Sequence, residues 1–229
     1  MGWLANFLTS SLGRKLLMSL TGLFLILFLV VHLIGNLQLL KGDEGQSFNE
    51  YTQFMTHNPL IKFISYGNYF FILLHAVLGI YITVKNRKSK GVKGAVSNRA
   101  ESVSWASKNM ALLGILIFAF LMLHMGDFWL KMKLNQTEWI DYGNGEIKNL
   151  YKVVYASYSN WLIVGAYLVG LLALSYHLWH GFASAFQTLG LHHKKYTPII
   201  EFLGKAFAII VPLMFAILPL YYKLVITAA

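Results

Sequence analysis

Four histidines stand one apiece in four separate long apolar stretches: His32, His75, His124 and either His177 or His180. Imidazole is a metal ligand and a proton carrier. Ligand-type side chains inside an apolar span are rare, and they usually mark function. Two imidazoles make the axial ligand set of a bis-histidine haem iron. Four of them, paired in two layers, would hold two haems and pass single electrons from one to the other.

Such a role needs long apolar helices, and the chain supplies them. Of its 229 residues, 57% are hydrophobic and 12% charged, and the mean hydropathy is +0.56. A soluble domain carries about twice that charged fraction. A membrane crossing takes about 20 mostly apolar residues, and five stretches qualify: 16–40, 63–84, 110–130, 161–186 and 202–226. The expected fold is an all-α membrane protein, one domain over 1–229, with five transmembrane helices in a bundle. GWLANFLTSSLGRK, before the first span, has the apolar spacing of a short interfacial helix. Trp105, Trp129, Trp139, Tyr155, Tyr158 and Trp161 stand near span ends as an interfacial aromatic belt. No cleavable signal peptide is expected ahead of the first span. The chain has no cysteine, so thiolate iron–sulfur clusters and thioether-attached haem are excluded on it.

The net charge of +10 could suggest nucleic acid, but the charges cluster in short loops, as topology signals do. Arg14 and Lys15 precede the first span. Lys85, Arg87, Lys88, Lys90, Lys93, Arg99 and Lys108 lie between the second and third, and Lys194 and Lys195 between the fourth and fifth. The other two loops are mixed or acidic, with Asp43, Glu44 and Glu50 in one and Asp127, Glu138, Asp141 and Glu146 in the other. The positive-inside rule then expects a cytoplasmic N-terminus and an outside C-terminus.

Depth follows at about 1.5 Å per helical residue. His32 lies 17 residues beyond Lys15 and His124 lies 16 beyond Lys108, roughly 25 and 24 Å from the inner face. His75 lies 10 residues before Lys85 and His177 lies 10 before Gln187, each roughly 15 Å from that face. The expected pairs are therefore His32 with His124 for an outer haem, and His75 with His177 for an inner one. An isolated intramembrane histidine can be a plain helix–helix hydrogen-bond partner. Four at two matched depths are poorly explained that way. A bare divalent metal would want three or four ligands at one depth. Glycines flank the set: Gly22 and Gly35 about His32, Gly79 after His75 and Gly181 after His177. They can admit a flat macrocycle or simply pack helices. His180 shares a helical face with His177, so it remains an alternative ligand. Otherwise it can bond a haem propionate or a quinone.

The entry GRKLLMSLTGLFLILFLVVHLIGN, one histidine in each of the first four spans, the HLWHGF stretch and the LG after it resemble one family. It is the di-haem cytochrome b subunit of succinate dehydrogenase/fumarate reductase complexes that have a single five-span anchor. The resemblance covers nearly the whole chain. It implies two b haems, with spans one and three on the outer haem and spans two and four on the inner. It implies a flavoprotein and an iron–sulfur subunit as partners on the cytoplasmic face, and a bacterial cytoplasmic membrane as the location. The basic loop between Lys85 and Lys108 could dock those partners by charge. The resemblance further implies a quinone, menaquinone by expectation, as electron acceptor. Quinone reduction takes up two protons, so its site wants a carboxylate, tyrosine or histidine. Glu50, Tyr51 and His57 stand outside the second span as candidates; Arg14, Ser19 and His180 are an inner alternative.

This chain has no dinucleotide fingerprint and no cysteine cluster, so it cannot oxidise succinate itself. Two other classes remain open: another di-haem transmembrane cytochrome b, and a multi-span transporter without haem. Cytochromes that place two ligands on one helix fit poorly, because His32, His75 and His124 each stand alone. A transporter would want acidic groups inside the spans, and none was expected well inside them.

Overall fold

The computed structural model describes residues 2–88 and 105–227. Lys90, Lys93 and Arg99 of the basic loop lie outside the described residues. Among the described residues, ten α-helices and one small hairpin follow in order. Helix α1 is Trp3–Thr9, and α2 is Ser11–Leu37, prolonged by a 3-10 turn at Gln38–Leu40. Helix α3 is Gln46–His57, α4 Pro59–Lys88, α5 Trp105–Lys108 and α6 Met110–His124. A π-helical stretch, Met125–Leu130, leads into α7, Lys131–Lys133. Strands β1 (Trp139–Asp141) and β2 (Glu146–Lys148) pair antiparallel, followed by α8 (Leu150–Tyr158) and α9 (Trp161–Thr188). Helix α10, Thr197–Tyr221, runs on through a π-helical end at Tyr222–Ile226.

Five of these are long and apolar enough to cross a membrane: Ser11–Leu40, Pro59–Lys88, Met110–Lys133, Trp161–Thr188 and Thr197–Ile226. The chain is a multi-pass, all-α membrane bundle. Each span runs past at least one of its expected limits, because polar end residues still satisfy backbone groups there. Ser10 caps α2 by accepting the Gly13 N–H at 3.0 Å. Asn58 accepts the Leu60 and Ile61 N–H groups ahead of α4, and Asn160 caps α9 by accepting the Leu162 N–H. Gly190 closes the end of α9 at φ +77°, a left-handed conformation that suits glycine.

The bundle is apolar outside and partly polar inside. Leu27, Val77, Ile115, Val169 and Ile210 are exposed on its surface, while Ser19, Thr21 and Asn68 are buried. A soluble fold would reverse this, so the outer surface is built for lipid tails.

Helices α2, α4, α6 and α9 form a closed ring in which each packs against its two neighbours. Helix α10 lies outside the ring against α9 and α2, where the Ser175 hydroxyl donates to the Ala208 carbonyl at 2.7 Å. The main core, around Val164, Tyr167, Tyr158, Leu218 and Tyr222, sits at the end of the bundle opposite the Lys85–Lys88 turn, the end that the charge pattern expects to be outer.

The outer connections are more ordered than their polar composition suggested. SFNEYTQFMTHNPL is not a loop; it forms α3 and the start of α4. The fully buried Asn49 binds this layer together. Its amide donates to Tyr142 Oη at 3.0 Å and Asn149 Oδ1 at 3.1 Å, and its carbonyl accepts the Tyr151 N–H at 2.9 Å. Tyr158, expected in the aromatic belt, is instead core, 6% exposed and packed on Phe128, Tyr167 and Tyr222.

Candidate functional site

The ring of four helices decides which histidines can meet. Helices α2 and α6 face each other across it, and so do α4 and α9. His32 on α2 meets His124 on α6, with ring centroids 5.6 Å apart and planes at 89°. His75 on α4 meets His177 on α9, at 6.2 Å and 68°. Both pairs therefore point into the centre of the ring, one nearer each membrane face. His180 does not share that meeting; it lies a turn further on and lines a cleft at the other end of α9.

Whether these pairs suit an iron can be tested on spacing. With metal–nitrogen bonds of about 2.0–2.1 Å and roughly 1.1 Å from nitrogen to ring centre, two trans imidazoles hold their centroids roughly 6.3 Å apart. The inner pair stands close to that spacing at 6.2 Å, and the outer pair, at 5.6 Å, would have to part by about 0.7 Å. Among the described residues, no group of three or more His, Cys, Asp or Glu side chains gathers to hold a bare metal ion. Two ligands per level would leave a metal's remaining positions to a macrocycle.

Proton positions support ligation on the inner level. Thr21 is buried, and its single hydroxyl proton is taken by the Leu17 carbonyl at 2.8 Å. With the proton given there, its oxygen is placed to accept from His75 Nδ1, at 3.1 Å. A proton on Nδ1 leaves Nε2 bare, the form that binds metal. His177 Nδ1 is buried with no hydrogen-bond partner, and so is the amide oxygen of Asn68, two turns before His75 on α4. Buried unpaired polar groups are costly in a bundle core.

The outer level is walled by rings. Phe28 and Phe215 lie against His32 at 5.2 and 5.5 Å, and Phe120, Phe128 and Tyr167 lie against His124 at 5.8, 5.3 and 5.9 Å. The Asn36 amide donates to the His32 carbonyl at 2.8 Å and lies 3.5 Å from His32 Nδ1. Tyr167 and Asp127 were not singled out from sequence, and both belong here. The Tyr167 hydroxyl lies 3.4 Å from His124 Nδ1 and 3.5 Å from Asp127 Oδ2. Asp127 was counted as a loop charge, but the π-helical stretch carries it within the third span. Its distance of three residues from His124, one helical turn, was the available signal.

The glycines divide. A Cβ at Gly22 would stand 3.3 Å from His75 Cε1, and one at Gly35 would strike the Tyr51 ring, so these two make room for side chains. Gly79 meets only the Met18 methyl, and Gly181 opens on free space.

The quinone candidates do not converge. Tyr51 packs over Gly35, one turn beyond His32, and burial pushes its phenol above the usual tyrosine range. Glu50 accepts from Gln46 at 2.8 Å on the exposed side of α3. His57 lines a separate outer cleft of about 220 Å³ with Thr52, Thr56, Lys62 and Lys133. Of the inner set, His180 lines a cleft of about 410 Å³ with Gln187, His192, Glu201 and Lys205. Arg14 lies elsewhere, over the Tyr81 ring at 4.8 Å, and Ser19 donates to the Lys15 carbonyl.

Compared with family models, characterised proteins and solved structures, this chain matches none.

Proposed function

We propose that this chain is the membrane-anchor cytochrome b of a succinate:quinone oxidoreductase, carrying electrons from an iron–sulfur subunit to a quinone. One observation carries the proposal: two histidine pairs, contributed by diagonally opposed helices, at two levels of one bundle. The spacing of the inner pair suits two axial ligands, the outer pair would have to part by about 0.7 Å, and their order along the chain is that of the family it resembles. His32 and His124 would hold the outer b haem, His75 and His177 the inner. Bound there, the two haems would supply a one-electron path between the membrane faces.

The chain's own residues then have distinct tasks. Thr21 keeps the His75 proton on Nδ1, leaving Nε2 for iron. Phe28, Phe120, Phe128 and Phe215 wall the outer pair off from water. Lys85, Arg87 and Lys88 end α4 in a basic turn, and Lys194 and Lys195 lie in the loop before α10. This side would face the cytoplasm of a bacterium and dock the flavoprotein and iron–sulfur partners by charge. On the opposite side Tyr51 stands nearest the outer pair among the quinone candidates. Its protonated phenol could deliver a proton to a quinone oxygen, with Glu50 and His57 on the same helix. Menaquinone is the acceptor the resemblance favours.

The test is purification from succinate-grown cells through an affinity tag on the C-terminus. Recovery of one flavin-bearing and one iron–sulfur polypeptide with succinate:quinone reductase activity is expected. Recovery of a haem protein without either partner would leave a di-haem cytochrome and remove the succinate assignment.

A further inference from the structure

His124 is distinguished from the other three ring histidines by a charged chain behind it. Lys131 Nζ lies 3.9 Å from Asp127 Oδ1, one helical turn on. Asp127 Oδ2 lies 3.5 Å from the Tyr167 hydroxyl, which lies 3.4 Å from His124 Nδ1. Tyr167 is 3% exposed, fixed by edge contacts with Phe120, Phe128 and Tyr158. The π-helical stretch from Met125 to Leu130 carries Asp127 just after His124, and such bulges often occur where a helix serves a site.

Counting protons fixes the direction of this chain. The oxygens of a carboxylate accept hydrogen bonds. The Tyr167 hydroxyl has one proton, and Asp127 takes it. With that proton directed to Asp127, the phenol oxygen offers His124 a lone pair, and a protonated, donating Nδ1 is the form that complements it. His124 Nε2 is left bare and turned away from the chain. A hydroxyl polarised by an anion is also a stronger acceptor, and it draws charge through the ring towards Nε2.

We infer that Tyr167 and Asp127 are positioning residues for His124: they hold its tautomer and, by strengthening Nε2 as a donor, lower the midpoint potential of the outer iron. This inference rests on the di-haem proposal above. A more electron-rich axial ligand favours the more highly charged ferric state, so removing the chain raises the potential. The inner level has no such carboxylate: His75 meets the neutral Thr21, and His177 Nδ1 has no partner among the described residues. The effect should therefore be confined to one haem.

Redox titration of the purified complex, followed in the visible spectrum, tests it. The outer component is first identified as the one that His32→Ala removes. Tyr167→Phe keeps the ring and its packing but deletes the acceptor; it should raise the outer midpoint and leave the inner one in place. Asp127→Asn should raise the outer midpoint by a smaller step, because the hydroxyl remains. If Tyr167→Phe does not assemble, Asp127→Asn decides alone. An unmoved outer midpoint in Asp127→Asn and in any assembled Tyr167→Phe, or equal shifts in both components, would overturn the inference. Wild-type complex with no haem would instead defeat the underlying proposal.

Discussion

Gly170 is where the smallest change should do the most directed damage. It lies on α9 facing α6, and a Cβ built there falls 2.6 Å from Phe120 Cδ2 and 2.7 Å from Phe120 Cβ. Ordinary contact begins at 3.4 Å, so the Phe120 Cβ alone must retreat by about 0.7 Å. A ring can turn away, but a Cβ is fixed to its backbone, so α6 itself must move off α9. Overpacking of this kind costs about 1–3 kcal/mol. Phe120 rests against His124 and Tyr167, with centroids 5.8 and 5.1 Å away, so the shift carries the outer site with it. The inner pair uses α4 and the part of α9 two turns further on. Gly170→Ala is therefore expected to lose about 1–3 kcal/mol in equilibrium unfolding from mixed micelles. It should weaken the outer spectral component before the inner. A loss within about 0.5 kcal/mol, the range of an indifferent surface change, would refute the reasoning.

Three further outcomes are expected. Tyr222→Phe removes a buried hydroxyl that donates to the Leu39 carbonyl at 3.1 Å; unfolding should cost about 1–3 kcal/mol less, since the carbonyl is left unpaired. Asn49→Asp replaces the amide donor to Tyr142 and Asn149 with an acceptor inside a fully buried site; it should make the hairpin at residues 139–148 more sensitive to protease, while Glu50→Gln should not. His177→Ala should abolish the inner haem, whereas His180→Ala should retain it with a shifted potential or slower quinone reduction; the reverse result would move the ligand to His180.

The five spans were legible because a membrane helix needs only length and apolar composition, and both are local properties. The histidine pairing was legible for a related reason. Helical rise converts residue number into depth, so His32 and His124 can be matched without knowing which helices adjoin. That α2 opposes α6 across a ring, so that the pair faces inward, is a packing fact with no local signature. The outer layer was hidden for the opposite reason to the spans. Helix α3, the hairpin and α8 are short and polar, and they cohere through the single buried amide of Asn49 rather than through a periodic apolar face. Tyr158 and Tyr167 show the limit of aromatic patterns: a tyrosine near a span end reads the same whether its ring faces lipid or core. Asp127 was misplaced because its neighbours Lys131 and Lys133 look like loop charges, while the helix runs on through them.

The central claim is that each histidine pair holds one haem. Pyridine haemochrome analysis of the gently purified wild-type chain, with redox spectra of His32→Ala and His75→Ala beside it, tests this most directly. Two low-spin b haems per chain are expected, with each substitution removing a different spectral component. One haem or none in the wild type, or loss of the same component from both variants, would contradict it.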